Sequence, residues 1–166
     1  MAHQFRERRS NMKISDQHPE ASGWMKGSVG GVEFEVLKDL TLIADDGGTD
    51  FVVQADWTSN NGGARQLTFY FPPGGPGIYT LDSLAKAFYE IEGKLEPWQR
   101  GYITRKSTDF SSPDHNHWCA EIEFKFDVSI DGLAIQINGT GSLRGASPWS
   151  KRESSVFRRR RGIGTA

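Results

Sequence analysis

Near the end of this chain apolar and charged residues alternate up to a turn, and the alternation resumes on the other side. Ile122, Phe124, Phe126 and Val128 alternate with Glu123, Lys125 and Asp127; Asp131-Gly132 follows, and Leu133, Ile135 and Ile137 take up the period again. Successive side chains of a strand point to opposite faces, so a period of two gathers the apolar groups on one face and leaves the charges in water. Asp-Gly accepts the positive φ angles of a two-residue hairpin turn. The pattern therefore predicts an antiparallel hairpin with Phe124 and Phe126 facing inward alongside Ile135 and Ile137.

The same rhythm occurs upstream. Val32, Phe34 and Val36 alternate with Glu33 and Glu35, and Leu40, Leu42 and Ala44 continue after Lys38-Asp39. Asp45-Asp46-Gly47-Gly48 and Asn60-Asn61-Gly62-Gly63 supply turns around a strand at Phe51 to Trp57, and Gln66 to Phe71 ends at the Pro72 to Pro76 stretch, which cannot extend a ladder. Trp98 to Thr104 reads as another strand. Between them the spacing of Leu84, Phe88, Ile91 and Leu95, after the N-cap candidates Asp82 and Ser83, predicts one inserted α-helix over 82–95 that Pro97 stops. The expected fold is mainly β, an antiparallel sandwich or barrel of about eight strands with that single helix.

At 166 residues the chain has the size of one domain. A mean hydropathy of −0.56 and 36% hydrophobic residues are low for a chain wholly packed into a core. The expected division is a flexible segment over 1–22, a β-rich domain over 23–145 and a flexible basic tail over 146–166. Charge follows this division: of the overall −1, the first segment holds +1 and the tail +5, so the domain holds −7. No apolar run has the length of a signal peptide or a membrane span, and the expectation is a soluble, cytoplasmic protein. Whether Met1 or Met12 is the start stays open.

Taken in series, Leu67 to Phe71, Gly77-Ile78-Tyr79-Thr80-Leu81, Glu121 to Val128 and Gln136-Ile137-Asn138-Gly139-Thr140-Gly141 resemble a class of uncharacterised bacterial β-domain proteins, often lipoproteins. In that class a Gly-x-Tyr-x-Leu step precedes a final hairpin ended by Gly-Thr-Gly. The resemblance covers roughly 30–143 and implies a fold; the class carries no assigned chemistry.

Candidate chemistry is sparse. His115, His117, Cys119 and Glu121 would share one side of a strand beginning at His115, and imidazole, thiolate and carboxylate suit zinc or a similar divalent metal. The alternative is an exposed loop running into a strand with a buried Cys119. No phosphate-binding glycine loop and no nucleophile–base order appears, so no cofactor is expected beyond that possible metal. Arg158, Arg159, Arg160 and Arg161 would attract phosphate or an acidic surface. Nucleic acid would meet the tail and not the acidic domain. The expected function is a non-catalytic interaction module, of the immunity or phage-accessory kind, that recognises a basic protein through acids including Glu33, Glu35, Glu121 and Glu123. The competing expectation is a metal-dependent β-barrel enzyme using His115, His117 and Glu121.

Overall fold

The computed structural model describes residues 20–44 and 50–148. Its strands are β1 (Ser22–Val29), β2 (Val32–Val36), β3 (Leu40–Ala44), β4 (Phe51–Thr58), β5 (Ala64–Phe71), β6 (Gly77–Thr80), β7 (Lys86–Ile91), β8 (Lys94–Asp109), β9 (Cys119–Ile130), β10 (Leu133–Arg144) and β11 (Ser147–Pro148). The protein is mainly β, and the pairing is antiparallel except where β11 runs parallel to β3. More strands form than the expected eight because segments 22–29, 77–80 and 86–91 all join the ladder.

The architecture turns on β8. Its first four residues, Lys94 to Pro97, pair with β7, continuing the order β11-β3-β4-β5-β7, while Trp98 to Asp109 pair with β9, continuing through β10 and β1 to β2. A register shift between Trp98 and Arg100 marks the point where the strand changes partners, and a bulge there bends and twists the strand. The two faces thus brought together enclose the core. β6 flanks the second half of β8 on its other edge. At the opposite corner Ala21 donates its N–H to the Leu40 carbonyl at 2.8 Å, linking the start of β1 to β3. The sheet is not closed into a continuous barrel.

The core follows from the alternation. Phe124, Phe126 and Val128 of β9 and Ile137 of β10 are buried, with Phe69 of β5 packed against Phe124 at a ring-centroid distance of 4.7 Å. The predicted β9–β10 hairpin forms with Asp131 and Gly132 both at positive φ, and Phe126 stands opposite Ile137. Strands β3 and β4 depart from simple alternation: Thr41, Ile43, Val52 and Gln54 are buried as well as their inward neighbours.

The helix expected over 82–95 is corrected. Residues 86–91 form β7, which lies between β5 and β8, and Ile91 pairs with Lys94 across a turn made by Glu92 (φ 49°) and Gly93 (φ 86°). Ala85, Ala87 and Tyr89 are buried, whereas Leu84, on the supposed apolar helical stripe, is 54% exposed. The helical spacing was a coincidence within a segment whose buried residues recur at a period of two. Gly93 is the second residue of this hairpin turn.

The flexible segment expected over 1–22 and the tail expected over 146–166 lie outside the described residues except at their inner ends. There Ala21 and Ser22 join the sheet, Ala146 packs against the core, and Ser147–Pro148 forms β11. The turn read at Asp45 to Gly48 also lies outside the described residues. Among the described residues no helix is long and apolar enough to cross a membrane.

Candidate functional site

A groove of about 500 Å³ opens where the β1–β2 hairpin and the β4–β5 hairpin diverge at one end of the molecule. Its floor is aromatic. Phe34 of β2 lies on Trp57 of β4 with ring centroids 4.7 Å apart and planes 14° from parallel, and Tyr89 of β7 approaches Trp57 at 6.3 Å. These rings reach the same place because each sits at an inward position of its own strand. Phe34 pairs with Gly27, Trp57 with Arg65, and Tyr89 with Leu67, near the mouth of the enclosed core.

Polar groups complete the wall. The turn between β4 and β5 is held by the Ser59 N–H donating to the Gly63 carbonyl at 2.8 Å and by a hydrogen bond between the side chains of Ser59 and Asn61. Arg65 Nη1 donates to its neighbouring Ala64 carbonyl at 3.0 Å. A Cβ on Gly63 would stand 2.5 Å from Arg65 Nη1 and 2.8 Å from Glu92 Oε1, so the absent side chain lets the guanidinium and this carboxylate crowd the same spot. Burial raises the Tyr89 hydroxyl above its ordinary pKa, an effect that the charge of Arg65 and its hydrogen bond partly offset. Arg65 thus stands in the wall of the groove as a cation hydrogen-bonded to the Ala64 carbonyl and to Tyr89.

Glu33 and Glu35 form the outer rim of the groove and are exposed. Four consecutive residues of β2, Val32 to Glu35, line it. Neighbouring residues of a strand face opposite ways, so a groove touching all four runs along the edge of β2 and not over one of its faces. Lys26 stands opposite Glu35 on β1, its ammonium 5.0 Å from the centre of the Trp24 ring.

The other expected site residues are placed as follows. Glu121 and Glu123 lie on the same outer sheet face as Glu33 and Glu35, but the register Glu35–Lys26–Thr140–Glu123 puts three strand spacings between β2 and β9, on the order of 15 Å. Lys26 and Lys125 interleave with these acids. The four acids therefore do not form a single cluster.

His115 and His117 do not begin a strand. They occupy a short 3-10 turn capped by Asp114, whose side chain accepts from the Asn116 N–H. His115 packs against Trp118 at 4.3 Å and His117 Nε2 lies 3.5 Å from Asp114 Oδ2. The Asp114 cap and Pro113 set this backbone, and the strand starts only at Cys119, so the expected common side for His115, His117 and Glu121 does not form. Among the described residues no three His, Cys, Asp or Glu side chains come together as a metal site requires. Arg158 to Arg161 lie outside the described residues.

Sequence reading found Glu33 and Glu35 but missed the aromatic floor. Phe34 was visible only as an apolar residue of one strand and Trp57 as the end of another, and Tyr89 lay in the segment expected to be helical. The usable signal was the Ser59-Asn60-Asn61 turn following an inward Trp57, since a large ring at a strand end beside a polar turn marks a rim. Comparison with protein-family models, curated proteins and solved structures finds no match to this chain.

Proposed function

We propose that this domain is a non-catalytic binding module that recognises a basic protein partner, with the β2 groove as its contact. The observation that carries this reading is the pairing of an acidic rim, Glu33 and Glu35, with an aromatic floor, Phe34 and Trp57. A basic segment can satisfy both: its lysine or arginine charges meet the carboxylates on the outer face while an apolar side chain between them lies on the rings. The −7 balance of 23–145 favours approach of a positively charged surface over longer distances. Glu121 and Glu123, on the same outer face, contribute to that field more than to the contact.

The test is affinity capture from a lysate of the organism that encodes the protein. The immobilised chain is compared with a Glu33→Lys/Glu35→Lys variant. Basic proteins should be retained at low salt by the wild type, released by added salt and absent from the variant. Retention of the same proteins by both would remove the groove from the account.

A further inference from the structure

We infer that the groove binds its basic partner as an extended segment that adds a strand to the free edge of β2, with lysine or arginine at alternate positions and an apolar side chain between them. This rests on the proposed function and specifies how the site would work. Among the described residues β1 is the one strand paired with β2.

The backbone of that edge can be assigned residue by residue. Gly30 and Gly31, both at positive φ, form a two-residue turn between Val29 and Val32. In such a hairpin the residues flanking the turn exchange both backbone hydrogen bonds, and hydrogen-bonded pairs then alternate with non-bonded ones. Val32, Phe34 and Val36 therefore turn their N–H and C=O groups toward β1. Glu33 and Glu35 turn theirs outward. An independent bond fixes the parity: the Gly30 N–H donates to the Gln136 carbonyl of β10 at 2.8 Å, so the even-numbered residues of β1 serve β10 and the odd-numbered ones serve β2.

An incoming strand would thus find two outward N–H and two outward C=O groups in the stretch that lines the groove, enough to set its register. Its residues opposite Glu33 and Glu35 would share their outer face, where lysine or arginine makes favourable cross-strand pairs. The residue between them, opposite Phe34, would point inward over the Phe34–Trp57 stack and fill the groove. Basic–apolar–basic is the pattern these three positions select. Arg65 stands in the groove wall, hydrogen-bonded to Ala64 and Tyr89, so an apolar side chain suits the inward position and the basic ones belong on the outer face with Glu33 and Glu35. Acids on an edge strand also discourage pairing with a second copy, whose own Glu33 and Glu35 would face them.

Amide hydrogen exchange on the full chain, with and without the probe peptide Lys-Val-Lys-Val-Lys, tests the inference. The peptide should slow exchange at Glu33 and Glu35 by about tenfold or more, while Phe34, already bonded to β1, should not change. A peptide with the same composition but the order Lys-Lys-Lys-Val-Val should protect neither. Unchanged exchange at Glu33 and Glu35 at saturating Lys-Val-Lys-Val-Lys overturns strand addition, as does protection of both amides before peptide is added, whether it is independent of protein concentration (the chain covers its own edge) or grows with it (a second copy does). If basic proteins are still captured in a charge-dependent manner while the edge amides stay unprotected, strand addition fails and the proposed function stands. If capture fails as well, both fall.

Discussion

The Phe34 ring rests on the Trp57 ring at 4.7 Å and 14°, joining the edge strand β2 to β4 across the mouth of the core. The two residues belong to the two halves of the molecule that β8 links, so the stack fixes the width of the groove as well as its floor. Aromatic pairs of this kind contribute about 0.5–1.5 kcal/mol beyond their buried area. A double-mutant cycle with Phe34→Leu and Trp57→Leu, measured by chemical denaturation, should return a coupling energy in that range. Strict additivity would mean that the rings do not hold the hairpins together.

The Glu92-Gly93 turn gives a prediction whose sign separates two structures. In a helix over 82–95, Gly93→Ala would stabilise by about 1 kcal/mol. At the observed φ of 86° an alanine Cβ is strained, and the substitution should destabilise by about 1–2 kcal/mol. Equilibrium unfolding of the variant distinguishes the two.

Phe124 is 1% exposed and packs against Phe69 of the opposing half. Phe124→Ala should lower stability by about 3–5 kcal/mol through lost burial and the cavity left behind. Thermal or denaturant unfolding within error of the wild type would contradict the inward assignment of β9.

The β9–β10 hairpin was legible in the sequence because two independent local signals, the alternation and the Asp131-Gly132 turn, agreed. The 82–95 segment was misread because Leu84, Phe88, Ile91 and Leu95 satisfy a helical spacing while Ala85, Ala87 and Tyr89 satisfy a strand spacing. Two of the buried residues were small alanines, which weighed little in a pattern built on large side chains. Their burial depends on β5 and β8, which pair with β7 from either side. For the site, Glu33 and Glu35 were legible as exposed strand acids. Their meeting with Trp57 was not, since that depends on how β2 is brought over the β4–β5 hairpin, a tertiary relationship with no local signature. His115 and His117 were overread for a related reason: strand periodicity was extended back through a segment whose backbone Asp114 caps into a turn.

Tyr89 links the groove to pH. Its folded pKa is raised by burial above the ordinary phenol value of about 10. The neutral hydroxyl is therefore preferred in the folded state. This contribution is present in full below the ordinary value and is lost as pH rises from there through the raised folded value. Stability of the wild type should fall across that alkaline window more steeply than that of Tyr89→Phe. Equal slopes in unfolding measured at stepped pH would show that the hydroxyl does not titrate differently on folding.

If the carboxylates at the β2 rim meet a basic partner, association kinetics will register them. Charges at an exposed rim act mainly on the association rate and its salt dependence. With the basic protein recovered by affinity capture, the association rate measured by stopped flow should fall steeply as salt is raised. At low salt it should be slower for Glu33→Lys/Glu35→Lys than for the wild type. An association rate indifferent both to salt and to this charge reversal would contradict the account.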